Sequence, residues 1–333
     1  GEKKEAAADG DLITVGYAQV GAESDWRTAN TESFKSTFTE ENGYKLIFDD
    51  AQQKQENQIK AIRSFIQQDV DYIVVAPVVE TGWETVLEEA KEAGIPVILS
   101  DRQMQLSDDS LYEAWVGGNF VKEGETCGDW LADYLEKQGR ADEEINMVTI
   151  QGTIGASAQI GRTQGFDDAV EAHDNWTTLA QQSGEFTQAK GQEVMESMLK
   201  QYDNINVVYC ENDNEAFGAI DAIEAAGKTV GSDIANGEIM VMSFDTTNAG
   251  LTDTLAGKIA CDVECNPLHG PRAEELIKAL EAGEEVEKLN YVDEEIFATD
   301  DTVDKVKAVN SLDEEGEYDV TPITQEIIDG RAY

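Results

Sequence analysis

The sequence predicts an α/β protein built as two doubly wound, parallel-sheet lobes, and three observations predict it. From Asp11 onward, short apolar runs rich in β-branched residues alternate with longer amphipathic stretches, the pattern of βαβ units. That alternation falls into two series on either side of one longer helical stretch. The chain, at 333 residues, also exceeds what a single hydrophobic core usually serves.

Residues 1–10 are polar and small, and they read as a flexible leader; because the chain opens on Gly1 and not on Met, a removed export signal is expected. The first series then places strands at 12–18, 45–49, 72–76, 96–99 and 114–116. Residues 58–67 typify the helices between them: Ile59, Ile62, Phe65 and Ile66 fall on one face while Lys60 and Arg63 point elsewhere. A helix over 122–138 opens the second series, with strands expected at 146–151, 176–182, 206–209, 239–244 and 259–264. Gly94 and Gly227 stand at helix-to-strand joins, where a left-handed C-cap suits glycine. A last amphipathic helix is expected over 271–282. The remaining segment, 281–333, carries 17 acidic and 4 basic residues yet keeps Ile296-Phe297 and an apolar run at 323–328, so it reads as an extended tail docked by a few apolar anchors.

Composition removes several function classes. With 69 acidic against 24 basic residues the formal charge is −45, a field that repels phosphate backbones and anionic lipid headgroups, so no nucleic-acid partner is expected. The longest apolar run, Tyr72-Ile-Val-Val-Ala-Pro77, is too short to span a bilayer. No G-x-G-x-x-G follows the first strand and no G-x-x-x-x-G-K-[ST] occurs, so no cofactor is expected. Two histidines, His173 and His269, leave little material for a metal site or a Ser-His-Asp triad, so neither metal ligands nor catalytic residues are expected. Cys127, Cys210, Cys261 and Cys265 lack the C-x-x-C spacing of zinc or redox sites. On an extended strand the last two would stand about 13 Å apart, too far to bridge.

Polar and aromatic residues gather instead at strand carboxyl ends, where open α/β sheets bind ligands. Gln19, Trp26 and Arg27 follow the first strand, and Asp101 and Arg102 follow the fourth. In the second series the stretch from Gln151 leads to Arg162, Asn212 follows the third strand, and Asp245 follows the fourth. A sugar asks for this inventory. Carboxylates accept from hydroxyls, arginine and asparagine donate to ring and hydroxyl oxygens, and an aromatic face, here Trp26 or Phe186, covers the C–H side. A tryptophan after a turn is also a packing residue at a lobe edge, and an Asp-Arg pair is also a salt bridge that closes a strand end.

Long stretches of this chain resemble a known family. Val15-Gly-Tyr-Ala-Gln19-Val-Gly, Ser24-Asp-Trp26-Arg27, Gln52-Gln-Lys-Gln-Glu-Asn-Gln58, Ala76-Pro-Val-Val-Glu-Thr-Gly-Trp83-Glu, Gln151-Gly-Thr-Ile-Gly-Ala-Ser157 and Ser183-Gly-Glu-Phe-Thr187 are similar to the galactofuranose-binding proteins of bacterial ABC sugar transporters. The resemblance covers about residues 12–282 and implies a periplasmic binding protein-like I fold with a three-strand hinge. Residues 11–118 plus 265–292 would form the N-terminal lobe, and 119–264 plus 293–333, with the acidic extension, the C-terminal lobe. It implies sugar contacts from Asp101, Arg102, Arg162, Asn212 and Asp245, and from either Glu264 or Asn266 near Pro267. Its functional implication is an exported, periplasmic or cell-surface lipoprotein monomer, not an enzyme. Such a protein captures a monosaccharide, in a furanose form such as galactofuranose, arabinofuranose or fructofuranose, between its lobes and delivers it to an ABC transporter permease. Two other classes remain in view. A sugar-responsive regulator shares the fold but carries a basic helix-turn-helix before the first strand, and a glycoside hydrolase would draw on two of the many carboxylates.

Overall fold

The computed structural model describes residues 11–309 and 315–333; the leader expected over 1–10 lies outside the described residues. In chain order the elements are β1 (Ile13–Gln19), α1 (Asp25–Thr37), β2 (Tyr44–Asp50), α2 (Gln55–Gln67), β3 (Tyr72–Val75), α3 (Glu84–Glu92), β4 (Val97–Ser100) and β5 (Ala114–Gly117). Next come α4 (Phe120–Lys137), β6 (Ile145–Gln151), α5 (Ser157–Glu171), β7 (Trp176–Ser183), α6 (Gln188–Gln201), β8 (Val207–Cys210), α7 (Asp213–Ala225), β9 (Met240–Asp245), α8 (Asn248–Leu255) and β10 (Cys261–Glu264). The chain then forms α9 (Gly270–Glu281), β11 (Leu289–Tyr291), β12 (Ile296–Ala298), β13 (Lys305–Val309), β14 (Glu315–Pro322) and α10 (Gln325–Asp329).

These elements form two compact units. The first comprises the chain to Gly117, Gly155–Ser157 and Pro267–Val292; the second comprises Gly118–Ile154, Ala158–Asn266 and Asp293–Tyr333. The first unit holds a six-stranded sheet in the order β11-β5-β4-β3-β1-β2, every pair parallel. Its middle strands are buried on both faces, which is why they read as continuous apolar runs. On α2, Ile62 and Phe65 are buried while Ile59 and Ile66 are partly covered, the expected stripe. Phe65 packs so closely on β1 that a Cβ at Gly16 would stand 2.5 Å from its ring.

The second sheet has eight strands in the order β13-β14-β12-β10-β9-β8-β6-β7. β7 through β10 pair in parallel, but β12 runs antiparallel to β10 and β13 antiparallel to β14. The segment expected as an extended tail therefore supplies β11 to the first sheet and three strands to the second, followed by a short helix. Runs as short as Ile296–Ala298 carry too little periodicity to declare themselves, and pairing with β10 makes them strands. All four cysteines are buried, and none is in a disulfide.

Candidate functional site

In the first unit the chain leaves β1 through Gln19, which is fully buried. Its Nε2 donates to Asn30 Oδ1 and Thr31 Oγ1, both at 3.0 Å, and its Oε1 accepts from the Val20 N–H at 2.9 Å, so little hydrogen-bonding capacity remains for a ligand. Ser24 then caps α1, its Oγ accepting from the Arg27 N–H at 3.1 Å, which sets Trp26 and Arg27 in the first turn. Trp26 is buried, edge-on to His269 with ring centres 5.9 Å apart, and the Arg27 guanidinium lies 4.7 Å from its ring centre.

Arg27 joins two carboxylates. Nε donates to Glu23 Oε1 at 3.0 Å and Nη2 to Asp101 Oδ2 at 2.8 Å. Arg102 leaves β4 beside them, donating from Nη1 to the Val78 carbonyl at 2.9 Å and approaching Glu23 at 3.6 Å. Asp101 takes a left-handed backbone, φ 66°, while its carbonyl accepts from Trp115 Nε1 at 3.0 Å. A non-glycine residue in that region is held there by its surroundings, and such residues concentrate at functional sites. Behind them His269 is fully buried, with Nδ1 3.1 Å from Ser100 Oγ. Ser100 is fully buried too.

In the second unit Arg162, on α5, is the centre. Nε donates to Glu123 Oε1 at 2.8 Å, Nη1 to the Glu211 carbonyl at 2.6 Å, and Nη2 stands 3.5 Å from Asp245 Oδ1. Its Cζ lies 4.9 Å from the Phe244 ring centre and 5.4 Å from that of Phe120. Asn212 caps α7 with Oδ1, accepting from the Glu215 N–H at 2.9 Å, and donates from Nδ2 to the Phe186 carbonyl at 3.0 Å, which leaves one N–H. Phe186 is buried, φ 62°, with its ring stacked so tightly over Gly152 that a Cβ there would stand 2.0 Å from it. Asp245 and Thr246 are also left-handed, with φ 108° and 52°. Three of the residues singled out in the sequence thus lie among the eight described non-glycine residues with positive φ.

Two further candidates lie at the carboxyl end of β10. Glu264 is buried, with Oε1 accepting from the Glu295 N–H at 3.0 Å and Oε2 from Arg331 at 2.6 Å and Tyr333 Oη at 2.7 Å. Asn266 is half-buried and donates its N–H to Glu294 Oε2 at 3.0 Å.

Sequence reasoning missed the partners of the arginines. Glu23 sits four residues before Arg27, a spacing that signals an ion pair. Glu123 lies 39 residues before Arg162, and no local signal joins them. Also unanticipated are carboxyls that burial drives toward the neutral form. Glu211 is pushed up to about 8 by burial, although Thr163 Oγ1 at 2.6 Å and the Gly152 N–H at 2.9 Å donate to it. Burial and then Glu211 push Glu215 well above the carboxylate range, and burial and then Asp213 do the same for Asp262. Glu294 is raised by burial and by Glu123, with which it shares a hydrogen bond.

Comparison with known proteins gives this arrangement a family. The periplasmic binding protein domain matches residues 15–285. The galactofuranose-binding protein YtfQ of Escherichia coli K12 is 42% identical over 304 residues, 90% of this chain and 92% of that protein. A crystal structure from Mycobacterium smegmatis in complex with β-D-fucofuranose is 45% identical, covers 87% of this chain and 93% of its own, and superposes with a TM-score of 0.82. The periplasmic binding protein component of the arabinose ABC transporter of Shewanella sp. ANA-3, bound to α- and β-L-arabinofuranose, is 41% identical over 86% of this chain and 91% of its own, with a TM-score of 0.79. Two α/β units with parallel-sheet cores, arginine–carboxylate sets at the strand ends and these relatives lead to one conclusion: the chain belongs to the periplasmic binding protein family.

Proposed function

We propose that this protein binds a neutral monosaccharide in its furanose form and delivers it, unchanged, to the permease of an ABC importer, acting outside the cytoplasm as a monomer. Galactofuranose and arabinofuranose, the ligands named for two of the relatives above, are the sugars we place first, with fructofuranose beside them. The observation that carries neutrality is the charge balance. In the first unit Arg27 and Arg102 face Glu23 and Asp101, two cations against two anions, and in the second Arg162 faces both Glu123 and Asp245. Neither set leaves a surplus cation for a phosphate or a carboxylate, while both offer fixed N–H and O⁻ groups of the kind that hydroxyls satisfy.

Asp101 and Arg102 of the first unit, and Arg162, Asn212 and Asp245 of the second, are the residues assigned to the sugar, with Trp26 and Phe186 as apolar cover. Gln19, Arg27 and Glu264 are assigned a supporting part, since their side-chain polar groups are engaged within their own units, and so is Asn266, whose backbone N–H is held by Glu294. Calorimetric titration against pentoses and hexoses is the test. Stoichiometric binding of a furanose-forming sugar, no uptake of its phosphate ester and no turnover of an aryl furanoside are expected; tight binding of the phosphate ester would overturn the neutral-ligand reading, and sustained turnover the non-enzymatic one.

A further inference from the structure

Residues 323–333 bring a cation to the turn that carries Asp245. Thr324 caps α10, its Oγ1 accepting from the Ile327 N–H at 3.3 Å, and Ile323 and Ile328 bury themselves with Leu251 and Phe297. The helix is thereby fixed, and Arg331 just beyond it has defined partners. Nε donates to the Thr246 carbonyl at 3.0 Å and Nη2 to Glu264 Oε2 at 2.6 Å and Tyr333 Oη at 2.8 Å, with a further contact to Thr246 Oγ1. The guanidinium lies between aromatic rings, 5.2 Å from the centre of Phe297 and 4.6 Å from that of Tyr333. Tyr333 is tied in turn, since its carbonyl accepts from the Asn248 N–H at 2.9 Å.

The Asp245–Thr246 turn needs such support, because two successive non-glycine residues at positive φ are not a conformation the chain adopts unaided. From the sheet side, Asp262 Oδ1 accepts the Thr246 N–H at 3.0 Å and Asp213 Oδ2 accepts the Thr247 N–H at 2.9 Å. These bonds fix the N–H groups. The Thr246 carbonyl and hydroxyl are fixed by Arg331.

We infer that Arg331 is a positioning residue for ligand binding: by tying Thr246 to Glu264 it holds the left-handed turn that aims the Asp245 carboxylate. The inference rests on the reading that Asp245 contacts the sugar, and it gives the acidic segment after β11 a part in binding. It also accounts for Glu264, whose Oε2 serves the clasp.

The test uses the full chain and titration calorimetry with L-arabinose and with D-galactose, each of which supplies a furanose form in solution. Arg331→Ala is expected to weaken binding roughly tenfold, about the effect of one lost buried hydrogen bond. Arg331→Lys, which keeps the pair with Glu264 but not the forked contact to Thr246, falls between that variant and the parent and stands in for it should the alanine variant not fold. In an Asp245→Asn background the same changes at Arg331 should add nothing, because the aimed group is already disabled. Binding by the parent with unchanged affinity in both Arg331 variants overturns the inference alone, and so does a loss that adds in full to that of Asp245→Asn. A parent that binds neither of these sugars nor D-fructose overturns the sugar reading and the inference with it.

Discussion

The two units bury carboxylates at their strand ends by opposite means. The first matches them with counter-ions: Glu23 and Asp101 lie against Arg27 and Arg102, all four side chains almost wholly covered. The second has too few cations for its acids. Arg162 serves Glu123 and Asp245, Arg331 serves Glu264, and Glu211, Glu215, Asp262 and Glu294 are driven by burial toward the protonated form. One fold thus neutralises a buried carboxyl with a guanidinium in one place and with a proton in another. The guanidinium gives permanent geometry, whereas the proton gives a geometry that depends on pH.

The sharpest way to break this comparison is to remove a counter-ion. Arg27→Ala leaves two buried carboxylates facing Arg102 alone, and a loss on the order of 3 to 5 kcal/mol of stability is expected, read from denaturant unfolding followed by the first unit's tryptophans. A loss below about 1 kcal/mol would mean that the pairing is not what stabilises that strand end. Next in size, Asp101→Ala or Arg102→Ala should weaken sugar binding by about 2 to 4 kcal/mol in calorimetry, because each leaves buried partners unsatisfied. Unchanged affinity in both would place the ligand elsewhere.

The proton side of the comparison is tested by pH. Glu211 has an ordinary value of 4.5 and is raised to about 8 in the fold, so the native state holds this proton more tightly than the unfolded chain does. The stability this represents is fully present below about 4.5 and is lost as pH climbs to about 8. Glu211→Gln should therefore flatten the melting-temperature profile across that window and melt above the parent at pH 8. A variant whose profile parallels the parent's would show that Glu211 does not titrate there. The smallest effect is reserved for the exposed pair Arg63–Glu89, whose nitrogen and oxygen are 3.0 Å apart. Arg63→Ala should leave the melting curve within its reproducibility, because solvent screens that pair.

Much of the architecture was legible because its causes are local. Strands buried on both faces leave apolar runs such as Tyr72–Val75, and helices on a sheet leave stripes such as Ile62 and Phe65. Predicted strand ends differ by a residue or so; β4, for instance, reaches Ser100. The segment after β11 was misread because β12 owes its strand form to β10, paired with it through Cys261 and Ala298, and β14 in turn pairs with β12. At the site, charged residues after strands announced themselves, since a charge next to an apolar run is a local contrast. Their partners did not: Glu123 meets Arg162, and Arg331 meets Glu264 across 67 residues, contacts that exist only once the sheet is assembled. The strained turn at Asp245 was equally silent, because its φ is imposed by Asp262 and Arg331 and not by its own side chain.

That dependence on distant segments bears on how the chain assembles. The first sheet takes its edge strand β11 from residues 289–291, and the second takes β12 and β14 from still later ones. Asn30 Nδ2 closes on the Pro267 carbonyl across 237 residues, and Tyr72 Oη on Glu281 across 209. Loops of that size make for slow, high-contact-order folding, in which closure entropy is lost before the contacts that compensate it exist. A ribosome that has delivered the chain only to residue 250 has made five of the six strands of the first sheet and four of the eight of the second, and completed neither. For a chain that has to cross a membrane before it works, late completion prolongs the unfinished, translocatable state.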